Sequence, residues 1–245
     1  MAVSTDARER APSAAPRDTR ERILAVATGE FARHGATGTR VERIAAEARV
    51  NVRMIYHYFG SKDDLFLAVL ERAYASIREA ERALDLEHTE PADGMEKLIR
   101  FSWNYYFAHP EFTALLNSEN LQQGRHVTRS QGLAAMHSPL LESLRALLAR
   151  GERQGVFRAG VDPMQIYVSI SALGYFYVSN RFTLSAIFQR DLMTPEAREE
   201  RLAHIVALVL GYLRETPSAP PRAPTRRAPA LRAPTPRSTS RKAAR

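Results

Sequence analysis

The chain has 245 residues, 44% hydrophobic and 25% charged, a balance that suits one or two soluble domains with an ordinary core. It has no cysteine, which excludes a disulfide framework, a thiolate metal site and a cysteine nucleophile. The net charge of +8 belongs to the end of the chain: Thr216 to Arg245 holds eight Lys/Arg and no acid, and residues 1–215 carry 27 basic against 27 acidic side chains.

Residues 1–16 are polar and Ala/Pro-rich, which predicts a disordered arm. They contain no apolar run of signal-peptide type. The first helix spans about Asp18 to His34, with Ile23, Leu24, Ala27 and Phe31 on one face and Gly35 as its stop. The second opens at Thr39, where Thr39-Arg40-Val41-Glu42 has the pattern of a capping box. It buries Val41, Ile44, Ala45 and Ala48, and ends near Arg49. The third runs from Asn51, a good N-cap, to Phe59-Gly60. The fourth starts at Ser61-Lys62-Asp63-Asp64 and continues to about Leu86.

Further helices are expected at 91–108 and 111–121. Ser138-Pro139, Asp162-Pro163 and Thr194-Pro195 each read as an N-cap followed by proline at the first helical position. They predict helices at 139–153, 163–188 and 195–214, about nine in all. No stretch shows sustained period-2 alternation, so the fold class is all-α. Pro163 to Asn180 is the longest uncharged run, but Gln165, Ser169, Ser171 and Asn180 make it a bundle helix rather than a membrane span. A cytoplasmic protein without a membrane partner is the expectation. Residues 216–245, with repeated Ala-Pro steps, are read as a disordered basic tail.

The stretch ARVNVRMIYHYFGSKDDL, Ala48 to Leu65, carries too many large side chains for the narrow stripe that its short helix can bury. Two helices of nine residues or so, joined by a tight turn, have helix-turn-helix spacing. A helix this short is stable only when docked, here through Val50, Ile55 and Phe59. At 100° per residue, Val52, Tyr56 and Arg53 fall at about 0°, 40° and 100°, one outward arc. Such a set suits a DNA major groove: arginine can bridge guanine O6 and N7, and valine can touch a thymine methyl. Met54 and Tyr58 flank the arc on the phosphate side. Lys62, at the start of the next helix, and Thr39 and Arg40, at the start of the second, are anion candidates. Asn51 and His57 complete the candidate DNA-binding set. Arg17 to Lys62 holds nine basic residues against five acidic ones, in keeping with a polyanion partner.

These residues closely resemble the DNA-binding domain of the TetR/AcrR family of bacterial transcription regulators. The matching text is TRERILAVATGEFARHG, TRVERIAAEARV and MIYHYFGSKDDLFLAVL. The resemblance implies that Val52, Arg53 and Tyr56 contact bases and that Met54, Tyr58 and Lys62 contact phosphates. Two positions depart from the family pattern. Arg49 stands where the family has a turn glycine, and a left-handed arginine costs on the order of 1 kcal/mol. Ala36 stands where an aromatic usually follows the helix-one glycine, which predicts looser packing under the second helix. The distal text GYFYVSNRFTLSAIFQRDLMTPEAREERLAHIV resembles a subgroup that includes repressors of pyrimidine and nicotinate breakdown.

The resemblance implies a DNA-binding unit at 17–77 and an effector and dimerisation unit at 78–215. It further implies a homodimer through the helices near 163–188 and 195–214, on a near-palindromic operator in double-stranded DNA. The uncharged face of Pro163–Asn180 and the apolar His204–Leu213 support that dimer independently. For a small-molecule effector of unknown identity the candidates are Trp103, Tyr106, Phe107, Phe112, Asn117, Tyr175, Phe176 and Asn180. Aromatics at helical spacing are more often core. Asn117 and Asn180, read as buried amides, need partners that a polar ligand could supply.

No H-E-x-x-H, P-loop, G-x-G-x-x-G or nucleophile elbow occurs, so no metal, cofactor or catalytic residue is assigned. The expected function is a sequence-specific transcriptional regulator, a repressor released by its effector. The alternative is an architectural or non-specific DNA-binding protein that relies on the basic tail.

Overall fold

A computed structural model describes residues 16–214, with side chains from Asp18 onward except those of residues 134, 137 and 138. The expected arm (but for its last residue) and the basic tail lie outside the described residues. Within them the chain is all-α: ten α-helices, one 3-10 turn and no strand. The helices are α1 (Pro16–Gly38), α2 (Val41–Glu47), α3 (Val52–Phe59), α4 (Lys62–Arg82), α5 (Pro91–Ala108) and α6 (Pro110–Leu121). After the 3-10 turn Val127–Arg129 come α7 (Leu133–Arg153), α8 (Pro163–Ser179), α9 (Arg181–Phe188) and α10 (Pro195–Arg214).

The first four helices close over Ile23, Phe31, Ile44, Ile55, Leu65 and Leu70, and Leu115 of α6 joins the same core. Ile44 and Ala45 of α2 are almost fully buried, so the core is closed beneath α2 with alanine at position 36. A second core, including Leu98, Trp103, Leu144, Ile170 and Ile205, holds α5, α7, α8 and α10 together. A smaller cluster of Ile77, Tyr105, Tyr106, Phe112 and Val178 includes residues of α4, α5, α6 and α8.

The turn between α2 and α3 shows how the reader helix is aimed. Ala48 caps α2, and the amides of Arg49 and Val50 donate back to Ala46 O at 3.1 Å and Ala45 O at 2.9 Å. This is the paired closure of a Schellman turn, which needs a left-handed residue between cap and exit. Arg49 supplies it at φ 53, so the turn keeps its shape without glycine. Asn51 then caps α3, its Oδ1 accepting the Arg53 amide at 2.8 Å. Gly60, at φ 82, ends the helix in a conformation that a side chain would resist. Ser61 Oγ accepts the Asp64 amide at 3.0 Å and donates to Asp64 Oδ2 at 2.6 Å, opening α4.

Four expectations about boundaries are corrected. The capping box at Thr39 does not form: Arg40 is the N-cap residue and no side chain caps α2. Thr39 instead turns inward and donates its hydroxyl to Glu30 O at 3.1 Å and Gly35 O at 2.8 Å, bracing the end of α1 at its break. The helix placed at 139–153 begins at Leu133, with Pro139 inside it. An interior proline costs about 3 kcal/mol, and the extra turns recover part of it by burying Leu133 on the face of Leu140, Leu144 and Leu147. The helix placed at 163–188 is two, divided at Asn180, which leaves helical geometry at φ −104, ψ 11. The fourth helix stops at Arg82, four residues earlier than Leu86. No helix among the described residues is long and apolar enough to cross a membrane.

Candidate functional site

Helix α3 is eight residues long and would not hold in water alone. Ile55, fully buried, and Phe59 seat it on α1, α2 and α4, and Arg20 stacks over the Phe59 ring at 5.1 Å. Each such apolar side chain contributes about 1.5–3 kcal/mol. The Arg22 guanidinium donates to Ala48 O at 2.9 Å and fixes the turn from behind.

With Ile55 inward, Arg53, Met54, Tyr56 and His57 are exposed. Val52 and Tyr58 are half-buried, their inner sides packed on the first core. The Arg53 guanidinium and the Tyr56 hydroxyl have no partner among the described residues. A cation and a donor held on a rigid rod with nothing to bind are polar groups left for another molecule. Arg40 is exposed near the same end of the fold. Lys62 Nζ donates to Thr37 O at 3.1 Å, which holds the amine at the exit of α1. Asn51 is exposed, but its side-chain oxygen is spent on the cap. Thr39 is 2% exposed, so its side chain is withdrawn from this surface.

The reader is tied to the rest of the fold by contacts not foreseen from sequence. Ala36 N donates to Ser118 Oγ at 2.9 Å, and Gln122 Nε2 donates to Thr37 Oγ1 at 3.2 Å. Arg125 pairs with Asp63 and Arg129 with Asp64, on the first turn of α4 beside Lys62. The Ser61 hydroxyl, followed by Arg129, holds the Asp64 carboxyl below its ordinary value.

The effector candidates do not form one site. Trp103 is core, 3% exposed, with its ring 4.9 Å from Phe107 and 5.3 Å from Tyr177. Tyr106 and Tyr175 line a cleft of about 370 Å³ between α4, α5, α6 and α8, together with Tyr74, Phe112 and Tyr167. Asn117, Asn180 and again Tyr175 line an adjoining open groove. The two asparagines are not buried amides. Asn117 is exposed and accepts from the Tyr175 hydroxyl. Asn180 is half-buried and donates to Phe176 O at 3.0 Å, capping the end of α8 with its own side chain. Phe176 is 57% exposed and lines neither cleft.

The sequence reading missed Tyr74, Tyr167 and Arg78 of this cleft, among others. Arg78 of α4 lines the aromatic cleft and is 3% exposed. The signal was its spacing: Tyr74, Ile77, Arg78 and Glu81 continue the buried face of α4 by three- and four-residue steps.

Helices α8 and α10 present apolar stripes at the surface, and Val168 of the α8 stripe also lines the aromatic cleft. Met164, Val168 and Phe176 are exposed at multiples of four along α8, and Leu208 and Tyr212 along α10. Phe182, Ile187 and Phe188 of α9 are each about two-thirds exposed or more.

Two family models match the chain: the tetR family of bacterial regulatory proteins over residues 23–69, and the tetracyclin repressor-like C-terminal domain over residues 91–209. The chain is 42% identical over 196 residues to the HTH-type transcriptional repressor NicS of Pseudomonas putida, covering 80% of this chain and 92% of NicS. It is 42% identical over 111 residues to the HTH-type transcriptional repressor SCO4008 of Streptomyces coelicolor, covering 44% of this chain and 53% of that protein. Among solved structures, the transcriptional regulator SCO4942 from Streptomyces coelicolor superposes with a TM-score of 0.60 at 27% identity, over 80% of this chain and 98% of that one. A docked recognition helix at the N-terminal end, a helical bundle behind it and matches to both halves agree: the chain is a helix-turn-helix DNA-binding regulator of transcription, not an enzyme, and belongs to the TetR family.

Proposed function

We propose that the protein is a cytoplasmic repressor that binds a near-palindromic operator as a homodimer and leaves it when a small molecule binds. The observation that carries this reading is the pair Arg53 and Tyr56, exposed and without partners on a helix seated by Ile55. In this reading residues 17–77 form the DNA-binding unit and 78–215 the effector and dimerisation unit. Val52, Arg53 and Tyr56 contact base edges. Arg40, Met54, His57, Tyr58 and Lys62 lie along the phosphates, and Asn51 acts through its cap. The buried Thr39 contributes by bracing the end of α1.

The apolar stripes of α8 and α10 are the proposed dimer face, and the groove between the two helices, lined by Ile166, Ser169, Leu208 and Tyr212, receives the partner's side chains. A twofold axis there sets the two α3 helices about one DNA turn or more apart. The effector acts only to the extent that it prefers the conformation whose spacing misses the operator. The repressors NicS and SCO4008 support the sign of regulation.

The test is selection of bound fragments from a random DNA pool by the full chain. An inverted repeat with half-sites about one turn or more apart supports the proposal. Retention of DNA with no sequence enrichment contradicts it.

A further inference from the structure

Arg78 and Glu81 of α4 are buried charges, 3% and 5% exposed. Their pairing is incomplete. Arg78 Nη1 lies 2.7 Å from Glu81 Oε2, and Nη2 donates to the Tyr167 hydroxyl at 3.0 Å. Nε, Nη1 and Glu81 Oε2 are nevertheless buried with no aligned hydrogen-bond partner. A guanidinium brings five N–H donors and no acceptor, so a buried one with a single aligned bond is under-satisfied, a costly state for a charge out of water.

Arg78 lines two cavities, and their linings decide between them. One, of about 270 Å³, has Glu81, Asp85 and Glu87 on its wall with Arg82 beside Arg78, so carboxylates outnumber guanidinium groups three to two and disfavour an anion. The other is the aromatic cleft of about 370 Å³, lined by tyrosines, Phe112, aliphatic side chains such as Ile77 and Leu116, and the neutral polar Asn120 and Ser171, and there Arg78 is the one charged lining residue. Tyr167 stands at the junction, its hydroxyl on Nη2 and its ring 5.5 Å from the guanidinium carbon. A planar fork of donors in the wall of a ring-lined cleft is matched by a carboxylate on a flat apolar body, which pairs two oxygens with the fork while its body packs on the rings.

We propose that the aromatic cleft is a binding site for a small organic carboxylate, which Arg78 holds through the N–H groups that Glu81 leaves unsatisfied. The site deepens the regulatory reading and rests on it only for its consequence: Arg78 and Lys62 share α4, about 24 Å apart along its axis. An anion that draws Arg78 away from Glu81 acts on the same helix that borders the DNA surface.

The experiment is calorimetric titration of the full-length protein with benzoate and with its neutral counterpart benzamide. Benzoate is expected to bind at least tenfold tighter than benzamide. Arg78→Gln is expected to abolish that preference. Because a buried arginine can be needed for folding, Glu81→Gln is the second variant: it removes the competing carboxylate and is expected to tighten benzoate severalfold. Equal binding of the two probes, or a Glu81→Gln protein that binds benzoate no better than the parent, overturns the proposal. DNA selection on the same preparation, without either probe, keeps the two readings apart. Sequence enrichment without benzoate preference rejects the carboxylate site alone, and benzoate preference without sequence enrichment rejects the regulatory reading alone.

Discussion

Glu119 and His126 form a buried pair in which imidazole Nδ1 lies 2.6 Å from carboxylate Oε2. The other oxygen, Oε1, accepts the backbone amides of His126 at 2.7 Å and Val127 at 2.9 Å. One carboxylate at the end of α6 thus organises the segment 125–129, from which Arg125 and Arg129 reach Asp63 and Asp64. The His126 ring stands edge-on to Phe66 of the first core at 4.8 Å.

Glu119→Ala strands these donors in the interior. It is expected to lower unfolding free energy by about 2–4 kcal/mol, since each buried donor left unpaired costs about 1–3 kcal/mol and such losses overlap. Arg129→Ala removes an ion pair that is half open to solvent, and a change within about 1 kcal/mol is expected. Urea denaturation of the two variants checks the contrast.

Burial pushes the Glu81 carboxyl from 4.5 up to about 7, against the pull of Arg78. The folded state therefore keeps this proton to higher pH than the unfolded chain does. The resulting stabilisation is fully present below about 4.5 and is lost as pH rises through about 7, a swing on the order of 3 kcal/mol. Relative to the Glu81→Gln protein, the parent's melting temperature should fall across that window. Parallel curves for the two proteins would remove Glu81 as the titrating group.

Lys62 and Thr39 were alike in sequence, both placed at helix starts as anion candidates, and the structure separates them. Lys62→Ala is expected to weaken binding to all DNA sequences and to reduce the salt slope by about 1. Thr39→Ala loses hydroxyl bonds to Glu30 O and Gly35 O and should cost about 1 kcal/mol of stability with the salt slope unchanged. Operator titrations over a series of salt concentrations, beside thermal melts, distinguish the two.

If α8 and α10 form the dimer face, a charge within either stripe breaks it. Phe176→Glu and Leu208→Glu are expected to sediment as monomers at concentrations where the parent is a dimer, and to lose operator affinity in parallel. Both positions are exposed in the single chain, so the fold of the monomer should survive. Dimers that persist in both variants would place the interface elsewhere.

The helices with strong apolar periodicity were legible because a buried face must repeat at the helical period, and α3, α4, α8 and α10 open where their caps or prolines predict. The reader helix was legible for the same reason: Ile55 and Phe59 can be buried only if Arg53 and Tyr56 point away. What was not legible depended on contacts distant in sequence. Thr39 fits a capping box locally, but the break at Gly35 brings two carbonyls within reach of its hydroxyl. Pro139 reads as a helix start until Leu133 is seen packed one turn and more ahead of it. Asn117 and Asn180 read as buried amides in sequence, and both reach the surface in part or in full. Exposure is set by which face of α6 and α8 the neighbouring helices leave uncovered. Arg78 is the opposite case: its spacing continues the buried face of α4, although a charged side chain ordinarily lies at the surface.

The central claim is that Arg53 and Tyr56 read base identity, and equilibrium binding at one fixed salt concentration tests it most directly. Arg53→Ala and Tyr56→Ala are each compared with the parent on the selected operator and on unrelated duplex DNA. The account predicts a loss of tenfold or more on the operator, as expected for a base contact worth about 1–3 kcal/mol, with much smaller changes on unrelated DNA. Operator affinities equal to the parent's in both variants would contradict it.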